Sequence, residues 1–122
     1  MPRTILMGDP THFSVRGGAN PHTRNALGLR KAVDAELARR QWHRLARTLI
    51  AHGVEVCVVA PHPQLTGLVY PANAGFLYPL TLGAGNQRKI FHLANLLPSR
   101  AAEREVYRPF LHSMGYETAD IQ

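Results

Sequence analysis

A single cysteine, Cys57, stands among 122 residues, which excludes an internal disulfide framework and a cysteine-built metal cluster. Acidic side chains are also scarce, eight against 14 basic ones, leaving a formal net charge of +6. No apolar run approaches the ~20 residues that span a bilayer, and no long apolar stretch follows basic residues at the N-terminus. The seven histidines are isolated from one another, without the His-Glu-x-x-His spacing that puts two ligands on one helix face. Neither a metal nor any other cofactor is expected. With 45% hydrophobic and 18% charged residues, the chain is expected to be a cytoplasmic protein folding as one domain over 1–122 around a modest core.

What is present begins with arginine. Arg39, Arg40, Arg44 and Arg47 occupy the polar side of an amphipathic helical pattern, where solvated charge is the usual outcome. A basic stripe can draw acidic ligands or nucleic acid. No aromatic residues interleave with this one, so a single-strand stacking surface is not supported and nucleic acid is not an expected partner.

The residue pattern predicts a mixed α/β chain. Thr4 to Met7 reads as a buried strand ended by Gly8 and Pro10, and Phe13 to Arg30 as a long loop dense in turn formers, of the kind that serves as a lid. From about Val33 to His52, Ala38, Trp42, Leu45, Ala46 and Leu49 recur at helical spacing, with Gly53 placed to end the helix. Val54 to Ala60 is nearly all apolar, which predicts a strand buried on both faces. Leu68 to Tyr70, Gly75 to Leu82 and Lys89 to Leu93 read as further strands. Ser99 is placed to cap a second helix whose apolar face is Val106, Phe110, Leu111 and Met114 and whose end is Gly115; Tyr116 to Ile121 is the last strand. The two helix ends echo one another. Leu49 and Leu111 each stand four residues before a glycine, and Glu55 and Glu117 two residues after it, a weak internal repeat.

Three motifs carry a family resemblance. Ile5-Leu6-Met7-Gly8-Asp9-Pro10 leads to Phe13; Asn20-Pro21-His22 comes after the loop; Leu68-Val69-Tyr70-Pro71-Ala72-Asn73-Ala74-Gly75-Phe76 comes later. In that order they resemble the opening half of the guanidino-group-modifying enzymes, the dimethylarginine dimethylaminohydrolase, arginine deiminase and amidinotransferase relatives. The resemblance implies a partial pentein fold, an α/β propeller of ββαβ modules, of which about two, with mixed sheets and two main helices, fit this length. It also implies a hydrolase-type scaffold whose catalytic His and Cys lie in the family's second half. Cys57, mid-strand between Val56 and Val58, reads instead as a small buried hydrophobe.

Departures from the family pattern concern the substrate. A guanidinium is a planar cation best held by carboxylates accepting paired hydrogen bonds. Thr66-Gly67 stands where relatives have Pro-Asp, Ala72-Asn73 where the dimethylarginine hydrolases have Glu-Asp although Ala-Asn is itself common among other relatives, and Ala94-Asn95 where relatives usually carry a basic or aromatic pair. The remaining candidates for contact are Phe13, Asn20 and Asn73, the two asparagines competing with a plain turn-forming role. No catalytic residue is assigned. Gly83-Ala84-Gly85-Asn86-Gln87-Arg88-Lys89 lacks the full phosphate-loop pattern and reads as a hairpin turn. The expected function is that of a noncatalytic N-terminal half completed by a separate C-terminal-half chain and acting on a guanidino compound. The alternative is a homo-oligomeric binding or regulatory module derived from the same family.

Overall fold

The computed structural model describes residues 3–15, 21–77 and 89–122, which form two compact units, Met1–Val69 and Tyr70–Gln122. In the first, strand β1 (Arg3–Gly8) pairs in parallel with β2 (Val54–Val59), from Arg3 opposite Val54 to Gly8 opposite Val59. Parallel neighbours need a crossover, supplied by helix α1 (Ala35–Ala51). Asp34 caps this helix, its Oδ1 accepting the Leu37 N–H at 2.9 Å. Gly53, at φ +75°, ends it in the left-handed region where glycine carries no Cβ penalty. Ala46 is buried, with Ala38, Trp42 and Leu49 half-buried beside it on one helical stripe. Leu45 is 52% exposed and does not belong to that stripe as the spacing suggested.

The second unit is a complete ββαβ arrangement. Strand β3 (Gly75–Leu77) runs antiparallel to β4 (Ile90–Leu93), which pairs in parallel with β5 (Glu117–Asp120) across helix α2 (Arg104–Ser113). Phe91 and Leu93 alternate inward from β4 and are buried, as are Tyr107 and Leu111 of α2. Gly115, at φ +84°, ends α2 as Gly53 ends α1. The faint sequence repeat is therefore a structural one: in each unit a helix stops at a left-handed glycine and feeds a strand parallel to the one before the helix.

Four expectations are corrected. Leu68 to Tyr70 is not a strand: Thr66–Val69 and Pro71–Asn73 are short 3-10 turns, because Pro71 has no N–H for a ladder and its fixed φ suits the first position of a turn. Ser99 is not a helix cap. A 3-10 turn, Ala101–Glu103, precedes α2, and neither start carries a side-chain cap. The buried face of α2 runs through Glu103, Tyr107 and Leu111, whereas Val106, Phe110 and Met114 are half-buried. β2 is not buried on both faces: Val59 is 1% exposed, but Val58, and Ile5 of β1 opposite Val56, are 40% and 39% exposed, since the two strands of this sheet among the described residues offer no further layer to cover them. The Tyr78 to Leu82 part of the third expected strand and the Gly83 to Arg88 turn lie outside the described residues.

Candidate functional site

The carboxyl end of β1 is where the first unit places chemistry-bearing loops, as parallel α/β arrangements generally do. A Cβ on Gly8 would stand 1.8 Å from the Leu68 carbonyl oxygen, so only glycine lets the chain turn out of the sheet there. The Asp9 N–H donates to Val59 O at 3.1 Å, and Asp9 Oδ1 accepts the Thr11 N–H at 2.8 Å, an Asx turn that sets the direction of the next residues. Phe13 emerges from it half-buried, its N–H donating to Pro10 O at 3.0 Å.

Asn20 lies outside the described residues. The segment from Thr23 to Lys31 is tied down more tightly than a lid-like loop predicts. Asn25 Oδ1 accepts from the N–H groups of Leu27 and Leu29 at 3.0 and 2.9 Å, Gly28 adopts φ +74°, and Arg24 Nη1 donates to Gly28 O at 2.8 Å. The result is a closed turn with Leu27 82% and Leu29 61% exposed near its tip.

Asn73 closes the 3-10 turn at the start of the second unit. Its N–H donates to Tyr70 O at 3.1 Å, the Ala74 N–H to Pro71 O at 2.9 Å, and the Ala94 N–H to Ala74 O at 2.8 Å. From the other side Arg104 Nη2 donates to Ala94 O at 2.9 Å. Gly75, at φ +151°, continues into β3; a Cβ there would stand 1.9 Å from the His92 carbonyl oxygen. The turn is thus held on its Ala74–Gly75 side, by the Ala94 backbone and by β4. Asn73 itself is exposed, and its side-chain amide has no hydrogen-bonding partner among the described residues. Aromatic surface lies close by in sequence: Tyr70 is 50% exposed, and Phe76, 49% exposed, stacks on His92 at 5.1 Å between ring centroids with 15° between planes. No carboxylate belongs to the Tyr70–Ala74 segment.

One cluster in this unit was not anticipated. Arg100 Nε and Nη2 donate to the two oxygens of Glu103 at 2.8 and 2.7 Å, and Glu103 is only 1% exposed. The hydrogen bond to Glu103 raises the Arg100 pKa above the ordinary arginine value, against the lowering effect of burial. Tyr107, fully buried, has its phenol pushed up to about 12 by burial first and by the Glu103 charge second. The four-residue spacing of Glu103, Tyr107 and Leu111 was the available signal. It is hidden because Glu103 counts as polar in any hydrophobicity pattern. On the more exposed side of α2, Arg108 Nη2 donates to Asp120 Oδ1 at 2.9 Å, and His112 Nε2 lies 3.0 Å from Thr118 Oγ1.

Cys57 is half-buried in β2. Among the described residues no three His, Cys, Asp or Glu side chains come together as a metal site, and no helix is long and apolar enough to cross a membrane.

No family model matches the chain. The N(G),N(G)-dimethylarginine dimethylaminohydrolase of Mycobacterium tuberculosis is 30% identical over 114 residues, 93% of this chain and 34% of that enzyme. Among solved structures, a variant of AgrE in binary complex with L-arginine superposes with a TM-score of 0.79 at 25% identity, covering 99% of this chain and 16% of that one. The N-terminal domain of ArgZ, an arginine dihydrolase of the cyanobacterial ornithine–ammonia cycle, superposes in its product-bound form with a TM-score of 0.78 at 25% identity, covering 100% and 40%. The chain therefore spans about a third of the hydrolase it resembles in sequence. In sequence and fold it resembles the N-terminal half of the pentein-fold guanidino-modifying enzymes, and its own architecture is a partial pentein fold.

Proposed function

We propose that this chain is the noncatalytic N-terminal half of a cytoplasmic hydrolase acting on a guanidino compound, completed by a second chain that brings the catalytic His and Cys. Phe13, Asn20 and Asn73 are its substrate-contacting residues. The observation that carries this reading is the Asn73 amide, exposed on a turn anchored through Ala74 to the Ala94 backbone and unpartnered among the described residues. An amide oxygen so placed accepts a guanidinium N–H, while the neighbouring aromatic faces suit a delocalised planar cation. Because Ala72 and Asn73 stand where the dimethylarginine hydrolases are expected to have two acids, the grip is that of a neutral acceptor, weaker than a paired carboxylate's. The thiolate that attacks the guanidino carbon belongs to the second chain, and the role of this one is to orient the substrate.

The test is co-expression with the gene neighbours that encode a late Cys and His, followed by assay for citrulline, ornithine or dimethylamine. Stimulation over the partner alone that is lost on Asn73→Ala supports the proposal; no stimulation sinks it. The second reading, a homo-oligomeric binding module, is favoured by the half-exposed Ile5 and Val58 of the two-stranded sheet. Light scattering separates the two readings. A stable homo-oligomer that ignores every candidate partner selects the second.

A further inference from the structure

Helix α1 carries a charged face for which the proposed function has no use. Arg40, Arg44 and Arg47 succeed one another at i, i+4 and i+7, on the side of the helix opposite the Ala38, Trp42, Ala46 and Leu49 stripe. With His43, Thr48 and Ala51 they line a surface groove of about 590 Å³. Among the described residues no carboxylate lies within ion-pair distance of these three arginines; Glu36, the acid in the first turn, is 3.7 Å from Arg39 instead. Like charges one helical turn apart repel, so the stripe weakens the helix that bears it. It also accounts for much of the charge asymmetry of the molecule, since nine of the 14 basic residues but only four of the eight acidic ones precede Tyr70.

Apolar residues bracket the stripe. Leu37, 42% exposed, stands three residues before Arg40, and Ile50, 60% exposed, three residues after Arg47. A phosphate backbone would engage the arginines and leave both apolar ends in water. A protein segment can use all five, because arginine forks pair with carboxylates and exposed aliphatic side chains at each end supply apolar contact.

We propose that this face of α1 docks an acidic amphipathic segment of a partner protein, its carboxylates against Arg40, Arg44 and Arg47 and its apolar side chains against Leu37 and Ile50. Charge complementarity names the occupant, and the apolar brackets distinguish it from nucleic acid.

The probe is a synthetic helical peptide with glutamates at i, i+4 and i+7 between two leucines, titrated by fluorescence anisotropy against the full chain at near-physiological salt; a short DNA duplex is titrated in parallel. Saturable binding of the peptide is expected, weakened by at least about thirtyfold in Arg40→Glu/Arg44→Glu and about tenfold in Leu37→Ala/Ile50→Ala. Arg44→Lys should fall between wild type and the charge reversal, because it keeps the charge and loses the fork. Circular dichroism confirms that each variant retains its helix, which the outward position of these residues predicts. Absence of saturation up to about 1 mM peptide overturns the proposal. So does DNA binding tighter than the peptide's, or peptide binding that depends on the arginines and not on Leu37 and Ile50, either of which assigns the face to polyanions in general.

Discussion

Replacing Glu103 with glutamine tests whether the buried pair in the second unit holds that unit together. Both Glu103 oxygens accept from Arg100, at 2.8 and 2.7 Å, and the carboxylate is 1% exposed while the Arg100 side chain keeps 23% of its surface. In Glu103→Gln one amide oxygen can still accept, but the amide NH2 must then face an arginine N–H, donor against donor, and the guanidinium loses its counter-charge. Removing one partner of a fully buried pair costs about 3–5 kcal/mol; the partial exposure of Arg100 reduces this to about 2–3 kcal/mol. Against a total stability of roughly 6–18 kcal/mol for a chain of this size, that is a large loss. With a urea m-value of about 1–3 kcal/mol per molar, the unfolding midpoint should fall by roughly 0.7–3 M. Arg100→Met/Glu103→Leu removes both charges together and should lie within about 1 kcal/mol of wild type, since apolar replacement of a whole buried pair is often neutral. Glu103→Gln within about 0.5 kcal/mol of wild type, or a double variant as unstable as its two singles combined, would refute the reasoning.

Tyr107 gives a pH prediction. Its folded pKa of about 12 lies above the unfolded value of about 10, so the stability it contributes is complete below pH ~10 and is lost as pH rises toward 12. A spectrophotometric titration of the native chain should show a tyrosine step at about pH 12 that is absent in denaturant, where tyrosine ionises near pH ~10; Tyr107→Phe should abolish that step. Gly8→Ala and Gly53→Ala should differ in kind. The first puts a Cβ 1.8 Å from a backbone carbonyl, whereas the second meets nothing within 4 Å and retains only a positive φ of +75°. Thermal melts should therefore show Gly53→Ala folded and weakened by about 1 kcal/mol, and Gly8→Ala weakened by more than about 3 kcal/mol or not folded. Asp34→Ala removes the α1 cap and should lower stability by about 1 kcal/mol in urea titrations.

The elements legible in sequence were those whose signal is local. Gly53 and Gly115 were readable as helix ends because a left-handed residue after a helix is glycine's usual station, and both adopt it. The period of 3.6 residues placed α1 within two residues at its start and one at its end. Misreadings arose where a neighbour distant in sequence decides the outcome. Leu68 and Val69 look like strand formers, but the segment folds into a 3-10 turn with Leu68 buried and its carbonyl against Gly8, a contact 60 residues away that no window detects. Val54 to Val59 has the composition of a strand covered on both sides, and composition cannot say whether a covering layer is present. Glu103 was not legible as a core residue, because its burial depends on Arg100 satisfying both oxygens at once.

The Arg100–Glu103 pair and the Asn73 turn use their acceptors in opposite ways. The pair spends both carboxylate oxygens on a guanidinium of the chain's own. The Asn73 turn keeps an acceptor unspent among the described residues, and no carboxylate belongs to the Tyr70–Ala74 segment. A guanidino ligand at Asn73 must then draw its counter-charge from groups outside the Tyr70–Ala74 segment, since a desolvated guanidinium facing only a neutral amide is poorly compensated. Asn73→Asp should consequently tighten binding of a free guanidinium compound to this chain by up to about tenfold, a gain set by the ~1–1.5 kcal/mol by which a charged hydrogen bond exceeds a neutral one, less the screening at an exposed position. Calorimetric titration with arginine measures it. An unchanged or weakened affinity would mean that the turn does not face the guanidinium, and the substrate-contact role of Asn73 would fall with it.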